Sequence, residues 1–321
     1  MKRVASTIVA LGLGLVGCDN GKMHQHPPDS SRDAYVAPWW TPEPAEAKNW
    51  DIQVHAPFDL SASRAMYIVD LWAVATATTI DYGDGSPVTV PAGALAGKVA
   101  ELKAAGAKVI CRVGTGAIKL TDPDASKFPG FAATPPDRPT APAAGSVIGW
   151  STSDPMQRLL DIRTASRPLW ETRMEKRFDL AKQLGCDGIE HDWIYTITGD
   201  SGFTIEVAEQ TAFGIDVAQQ AHDRELSSGM QNGTANGLID AFAPHFDWLV
   251  IERCGEFDDC DLTRPFINLR KAVFALDYDT DIDGLPLSTG LTCPRQVAGM
   301  IEDGIVKDTN LSSTFRYPCV P

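Results

Sequence analysis

From residue 51 onward, short β-branched apolar runs alternate with longer amphipathic stretches, the order that builds βα units around a parallel sheet. The strand-like runs are 51–55, 66–72, 108–113, 187–193, 227–231, 247–252, 271–277 and 312–317. Helical runs at 92–105, 169–184, 204–224, 235–243 and 294–303 separate most of them, although none stands clearly between the first two strands. The last begins with Pro294 after Thr292-Cys293 and stops near Gly304, which is sound helix punctuation. Eight strands with helices between them is the count of a (β/α)8 TIM barrel, so the expected fold is α/β, with a single barrel domain over 37–321. The segment between Gly114 and Leu160 holds seven prolines and little periodicity, too long for a simple βα connection. A loop of that kind is usually a lid or a binding loop, and one that leaves the third strand emerges at the carboxyl end of the barrel.

Four of the apolar strands end in an acid. Alternate residues of a strand share a face. If Ile189 faces the helix layer, then Gly188, Glu190 and Asp192 point into the barrel, with Asp192 at the rim. The same parity puts Glu252 at the rim above Val250, Asp70 above Ile68, and Asp277 inward at the end of 273–277. One acid at a strand end is commonly a turn former or a helix cap. Four converging on one mouth are costly to bury and point to chemistry or to a bound cation. Asp187, at the entry of its strand and followed by Gly, reads as structural.

Paired carboxylates without a metal-ligand pattern suit glycosidic cleavage, in which one acid protonates the leaving oxygen and the other attacks the anomeric carbon or activates water. No G-x-S-x-G, phosphate-cradling glycine loop or H-E-x-x-H occurs, which weakens acyl and phosphoryl transfer. An ordered series of short segments carries a more specific signal. They are Trp50-Asp51-Ile52-Gln53, Tyr67-Ile68-Val69-Asp70, Val109-Ile110-Cys111-Arg112, Leu160-Asp161-Ile162 and Cys186-Asp187-Gly188-Ile189-Glu190-His191-Asp192. Ala221-His222, Glu252-Arg253-Cys254, Val273-Phe274-Ala275-Leu276-Asp277-Tyr278 and the stretch from Cys293 through Lys307-Asp308 to Cys319 complete the series. In this order, from about Trp39 to the end, the chain resembles glycoside hydrolase family 114, the endo-α-1,4-polygalactosaminidase-type TIM barrels.

The resemblance implies Asp192, in D-G-x-x-x-D, and Glu252, in E-x-C, as the catalytic pair, positions that strand parity reaches independently. It implies a substrate of α-1,4-linked galactosamine, partly de-N-acetylated and hence cationic, and no required cofactor. The expected substrate-binding residues are Asp70, Glu190, Asp277, Tyr278, Trp72, Trp193, Tyr195, Asn232, Gln53 and Arg112, with Asp70, Glu190 and Asp277 binding amines or tuning the catalytic pair. The chain departs from the family pattern around the groove. Gly114-Thr115-Gly116-Ala117-Ile118-Lys119 follows the third strand where an acid and a base are usual, Gln231-Asn232 replaces Lys-Asn, and Asp277-Tyr278 replaces Glu-Tyr. A competing reading from another class is a non-catalytic, polysaccharide-binding lipoprotein on a degenerate barrel.

The N-terminus bears on the compartment. Lys2 and Arg3 precede an apolar run over 4–16 that is too short to span a bilayer, and Leu15-Val16-Gly17-Cys18 follows. This reads as a signal peptide over 1–17 ending at a bacterial lipobox, with Cys18 as the lipidated residue. A polar, aperiodic tether over 18–36 follows. The expected protein is exported and held at a cell membrane through the lipid alone, as a monomer. Removal of Lys2 and Arg3 leaves 26 basic against 42 acidic residues, a net charge of −16. That balance opposes nucleic acid or an anionic membrane surface as partner and suits a cationic substrate, although acidity also serves solubility.

Of the seven cysteines, Cys254 and Cys260 share one short loop and are placed to bridge, and Cys293 and Cys319 bracket the last helical run. Cys111 and Cys186, within or beside apolar strands, read as buried thiols. No C-x-x-C occurs, and the six histidines are scattered, which argues against zinc. Asp279, Asp281 and Asp283 form a D-x-D-x-D-G run that could wrap Ca²⁺, but Gly290 stands where an EF-hand has its bidentate Glu, so a solvated acidic turn is the alternative. Trp72, Trp193 and Tyr195, at strand ends, either stack on sugar rings or pack the rim. Trp39-Trp40 either plug the barrel bottom or line the groove. His191 is expected to face outward and His222 to lie on a helix, both structural.

Overall fold

The computed structural model of the protein describes residues 37–44, 49–132, 142–150, 156–198, 201–288 and 303–319. Eight parallel strands lie side by side in chain order: β1 (Trp50–Gln53), β2 (Met66–Asp70), β3 (Lys108–Gly114), β4 (Gly188–Asp192), β5 (Ser227–Gln231), β6 (Trp248–Glu252), β7 (Ala272–Tyr278) and β8 (Asp303–Lys307). A ninth, β9 (Arg316–Pro318), runs antiparallel along β8. The sheet curls until β1 meets the β8–β9 edge. There the Trp50 indole donates to the Asp303 carbonyl at 3.2 Å, Arg316 Nη2 donates to the Trp50 carbonyl at 2.6 Å, and the Val54 amide donates to the Leu311 carbonyl at 2.9 Å. The fold is a TIM barrel whose seam is held by side chains and single bonds rather than by a ladder.

The helices are α1 (Leu71–Val74), α2 (Lys98–Ala104), α3 (Glu171–Leu184), α4 (Val207–His222), α5 (Leu238–Phe242), α6 (Cys254–Phe257) and α7 (Arg264–Asn268). Among the described residues none is long and apolar enough to cross a membrane. Two apolar layers separate by strand parity. Ile52, Ile68, Ile110, Trp248, Val250, Phe274 and Ile305 fill the barrel, while Tyr67, Val109, Ile189, Leu249 and Val273 pack outward against α3 and α4 residues such as Phe178 and Phe213. The Trp248 indole crosses the interior so close to β5 that a Cβ on Gly229 would lie 2.1 Å from it, which is why β5 carries a glycine there.

Several expectations are corrected. The eighth strand is Asp303–Lys307, at the end of the run read as helix, and not 312–317, of which only Arg316 and Tyr317 enter the rim strand β9. Polar residues at both ends of β8 hide its strand character. They are buried because the Asn49 amide donates to Asp303 Oδ2 at 2.7 Å and Lys307 Nζ pairs with Asp51 Oδ1 at 2.9 Å. Residues 294–302 lie outside the described residues. The segment after β3 is not structureless, because Ala117–Lys119 pairs antiparallel with Gln157–Leu159. Cys111 and Cys186 are bonded to each other, tying β3 to the turn before β4, rather than being free thiols. Cys254 bonds Cys260, and Cys319 is also disulfide-bonded, while Cys293 lies outside the described residues. Trp39 stacks on His222 at 4.0 Å, at the C-terminal end of α4, and Trp40 sits beneath the Lys108 ammonium, so neither lines the groove.

Candidate active site

The carboxyl ends of β2, β3, β4, β6 and β7 deliver Asp70, Arg112, Asp192, Glu252 and Tyr278 to one cavity of about 210 Å³. Trp72, Lys119, Asp122 and Arg177 complete its wall on the side of the loops that follow β2 and β3. A groove of about 360 Å³ adjoins it, sharing Val54, His55, Asp70, Trp72, Lys119 and Asp122 and running out past Pro91 and Pro123. The two carboxylates Asp192 and Glu252 therefore line the cavity and not the adjoining groove, at the inner end of a continuous trough.

Each of these two acids has its own set of partners. Arg112 reaches up from β3, with Nη2 3.0 Å and Nε 3.3 Å from Asp192 Oδ2. Burial works against the guanidinium charge, but the carboxylates around it, Asp192 foremost, more than offset it, so the proton on Arg112 is held more tightly than usual. Glu252 forms no ion pair among the described residues. Its Oε1 accepts from the Tyr278 hydroxyl at 2.5 Å and its Oε2 from the Asn232 amide at 2.8 Å, while its backbone N–H donates to Asn232 Oδ1 at 2.8 Å. Asn232 adopts a left-handed backbone (φ 55°) directly after β5, which turns its amide back onto Glu252. Burial and the Glu252 charge both push the Tyr278 hydroxyl well above its ordinary range, so it stays a donor.

The remaining anticipated residues fall into three places. Asp70 lines the cavity, but its Oδ1 also accepts from the Trp72 and Ala73 amides at 3.0 Å as the cap of α1, and burial raises its pKa. Asn232 and Tyr195 stand behind Glu252, joined at 3.3 Å, and Trp193 stacks on Tyr195 at 6.4 Å. Glu190, Gln53 and Asp277 do not reach the cavity. Glu190 lies fully buried beneath Asp192, and Gln53 is occupied by Asp51 and the backbone of Asp59. Asp277 corrects the inward reading. It shares the outer face with Val273 and Ala275, accepts from the Gly255 amide at 3.2 Å, and is pushed up to about 6 by burial, while Tyr278 takes the inward position.

Strand parity could not reach Lys119, Asp122 and Arg177. Arg177 sits on α3 among Met174, Phe178 and Ala181, buried residues at helical spacing, and a charge within such a stripe is the signal that could have found it. It bonds Asp124 at 2.6 Å and Asp122 at 3.0 Å, and its guanidinium lies 5.2 Å from the Trp72 ring, fixing that wall of the cavity. Lys119 Nζ stands 3.4 Å from His55 Nε2, bridging the loops after β3 and β1. His191 faces outward, bonding the Thr115 and Ser228 hydroxyls at 3.0 Å each. The acidic run at 279–283 forms a turn in which Asp281 Oδ1 accepts from the Asp283 and Leu285 amides. No group of three or more His, Cys, Asp or Glu able to hold a metal occurs among the described residues.

The model of glycoside-hydrolase family GH114 matches residues 30–319. Among solved structures, the chain is similar to Ega3 of Aspergillus fumigatus in complex with galactosamine, with 25% identity, a TM-score of 0.66, and coverage of 89% of this chain and 100% of that one. The maltogenic α-amylase AmyB of Thermotoga neapolitana aligns at 10% identity and a TM-score of 0.39, over 67% of this chain and 51% of that one. Sucrose 6F-phosphate phosphorylase of Thermoanaerobacter thermosaccharolyticum aligns at 11% and 0.42, over 72% and 59%. No curated protein matches the sequence.

Proposed function

Since the chain belongs to glycoside-hydrolase family GH114, and is thus a glycoside hydrolase, we propose that it cleaves α-1,4-linked, galactosamine-type polysaccharide from within the chain, using Asp192 and Glu252. The observation that carries this reading is the difference in partners of the two acids at one cavity, a guanidinium on Asp192 and uncharged donors on Glu252. Asp192 is paired with the Arg112 guanidinium at 3.0 Å, an arrangement that suits the carboxylate that attacks the anomeric carbon or activates water. Among the described residues Glu252 accepts from the neutral Tyr278 hydroxyl and Asn232 amide and forms no ion pair, which suits the carboxyl that passes a proton to the leaving oxygen.

The amino-sugar assignment is supported by the galactosamine bound in the Ega3 relative and by the acidity of this chain. Asp70 and Asp122, half-buried carboxylates along the trough, suit ammonium groups of de-N-acetylated units. The test is digestion of α-1,4-galactosamine polymers of graded acetylation by the purified protein. The reading expects released oligosaccharides, with faster release as acetylation falls. Equal rates on a fully acetylated polymer would remove the amino-sugar preference, and no release from any polymer would remove the activity.

The N-terminal sequence supports a further part of this reading: export and lipid anchoring at Cys18, with the enzyme acting as a monomer at the cell membrane. A C18A variant should leave the membrane fraction, and its unchanged retention there would refute the anchor.

A further inference from the structure

Glu190 is a carboxyl inside the barrel that lies below the cavity and does not line it. It is 0% exposed, and neither of its carboxyl oxygens has a hydrogen-bond partner. Across the β3–β4 ladder its register partner is Arg112, whose Nε lies 3.6 Å from Glu190 Oε2. The same guanidinium is already bonded to Asp192 at 3.0 Å. The other charged groups facing Glu190 are carboxylates, Asp192 two residues on along its own strand and Glu252 from β6, while its register partner on β5 is Gly229. An ionised Glu190 would be a desolvated anion with no donor, competing with Asp192 for one cation.

We infer that Glu190 is a positioning residue: a carboxyl kept protonated inside the barrel, which supports Arg112 from below and leaves the guanidinium charge undivided for Asp192. Burial, reinforced by Asp192 and Glu252 and opposed by Arg112, pushes its pKa up to about 8. The neutral form fills the space under Arg112 without adding a second anion. Ionisation would draw Arg112 down and off Asp192, the carboxylate required to react. The inference rests on the assignment of Asp192 above, and its test separates the two.

The first measurement ignores activity: melting temperature against pH for wild type and E190Q. An acid whose pKa rises from about 4.3 in the unfolded chain to about 8 in the fold imposes no penalty below pH 4. Its penalty grows up to pH 8. Wild type should therefore lose melting temperature relative to E190Q across that window. A flat difference, or a gain by wild type with rising pH, would mean an ionised Glu190 and overturn the inference. The second measurement takes kcat and KM on de-N-acetylated α-1,4-galactosamine polymer. E190A should lower kcat about tenfold or more with KM within about twofold, since a misplaced catalytic group costs rate rather than binding, and E190Q should recover most of that loss. A raised KM at unchanged kcat, or E190Q as impaired as E190A, would overturn the inference. Wild type inert on the polymer would instead sink the proposed activity, while the melting curves still decide the state of Glu190.

Discussion

Tyr278 crosses from β7 to place its hydroxyl 2.5 Å from Glu252 Oε1, and Arg253, the residue after Glu252, lies over the same ring with its guanidinium carbon 4.4 Å from the centroid. The ring is thus held by the very segment whose acid it contacts. A hydrogen bond between neutral groups contributes about 0.5–1.5 kcal/mol, so Y278F should lower kcat by a few-fold up to about tenfold, with little change in KM. Steady-state kinetics on the polymer check this. A Y278F rate equal to wild type would leave Tyr278 as packing only.

Arg112 concerns stability as well as chemistry. It is the cation paired with the half-buried Asp192, and removing one partner of such a pair costs up to about 3 kcal/mol, because the charge left behind is unpaired. R112M, similar in length and apolar, should therefore lower the urea midpoint markedly as well as abolish turnover. Restoring the midpoint with D192N in the R112M background would show that the stranded carboxylate is the cause.

His191 adds an acid-sensitive element on the outer face of β4. Burial holds its pKa down to about 3 against 6.5 for a free imidazole, so the fold contains the neutral ring between the Thr115 and Ser228 hydroxyls. The unfolded chain takes up a proton below pH 6.5 that the fold refuses. Stability from this group is full above pH 6.5 and is lost as pH falls towards 3. H191Q should start less stable at pH 7 and show a smaller loss between pH 6.5 and 3. Parallel curves for the two proteins would rule the histidine out as the sensor.

Gly229 links the core to the site. A methyl group there meets the Trp248 ring at 2.1 Å, and overpacking of a filled core costs about 1–3 kcal/mol. G229A should show a lower melting temperature with an altered Trp environment by near-ultraviolet circular dichroism.

The inward placement of Asp70, Asp192 and Glu252 was legible because apolar neighbours set the parity of β2, β4 and β6 with one face on the barrel interior. Parity failed at Asp277 because Val273 and Ala275, taken as inward, face the outer layer. The larger Phe274, Leu276 and Tyr278 take the interior, and Asp277 goes outward. β8 was illegible for a different reason. Asp303 and Lys307 are buried only through partners some 250 residues away, a pairing no local window contains. The Cys111–Cys186 bridge spans 75 residues and follows from the neighbouring positions of β3 and β4, which only the assembled barrel supplies. Arg177 and Asp122 reach the cavity from a helix and a loop, outside the strand-end logic that found the other residues.

The central claim is that Asp192 and Glu252 act on one glycosidic bond from two strands. Its most direct measurement is the rate of oligosaccharide release from de-N-acetylated α-1,4-galactosamine polymer by wild type, D192N and E252Q, each shown to be folded. The account predicts release by wild type and a loss of about 1,000-fold or more in each variant. E252Q, unlike D192N, should regain turnover on an aryl galactosaminide whose leaving group needs no proton. Wild-type rates in either variant on the polymer would contradict it.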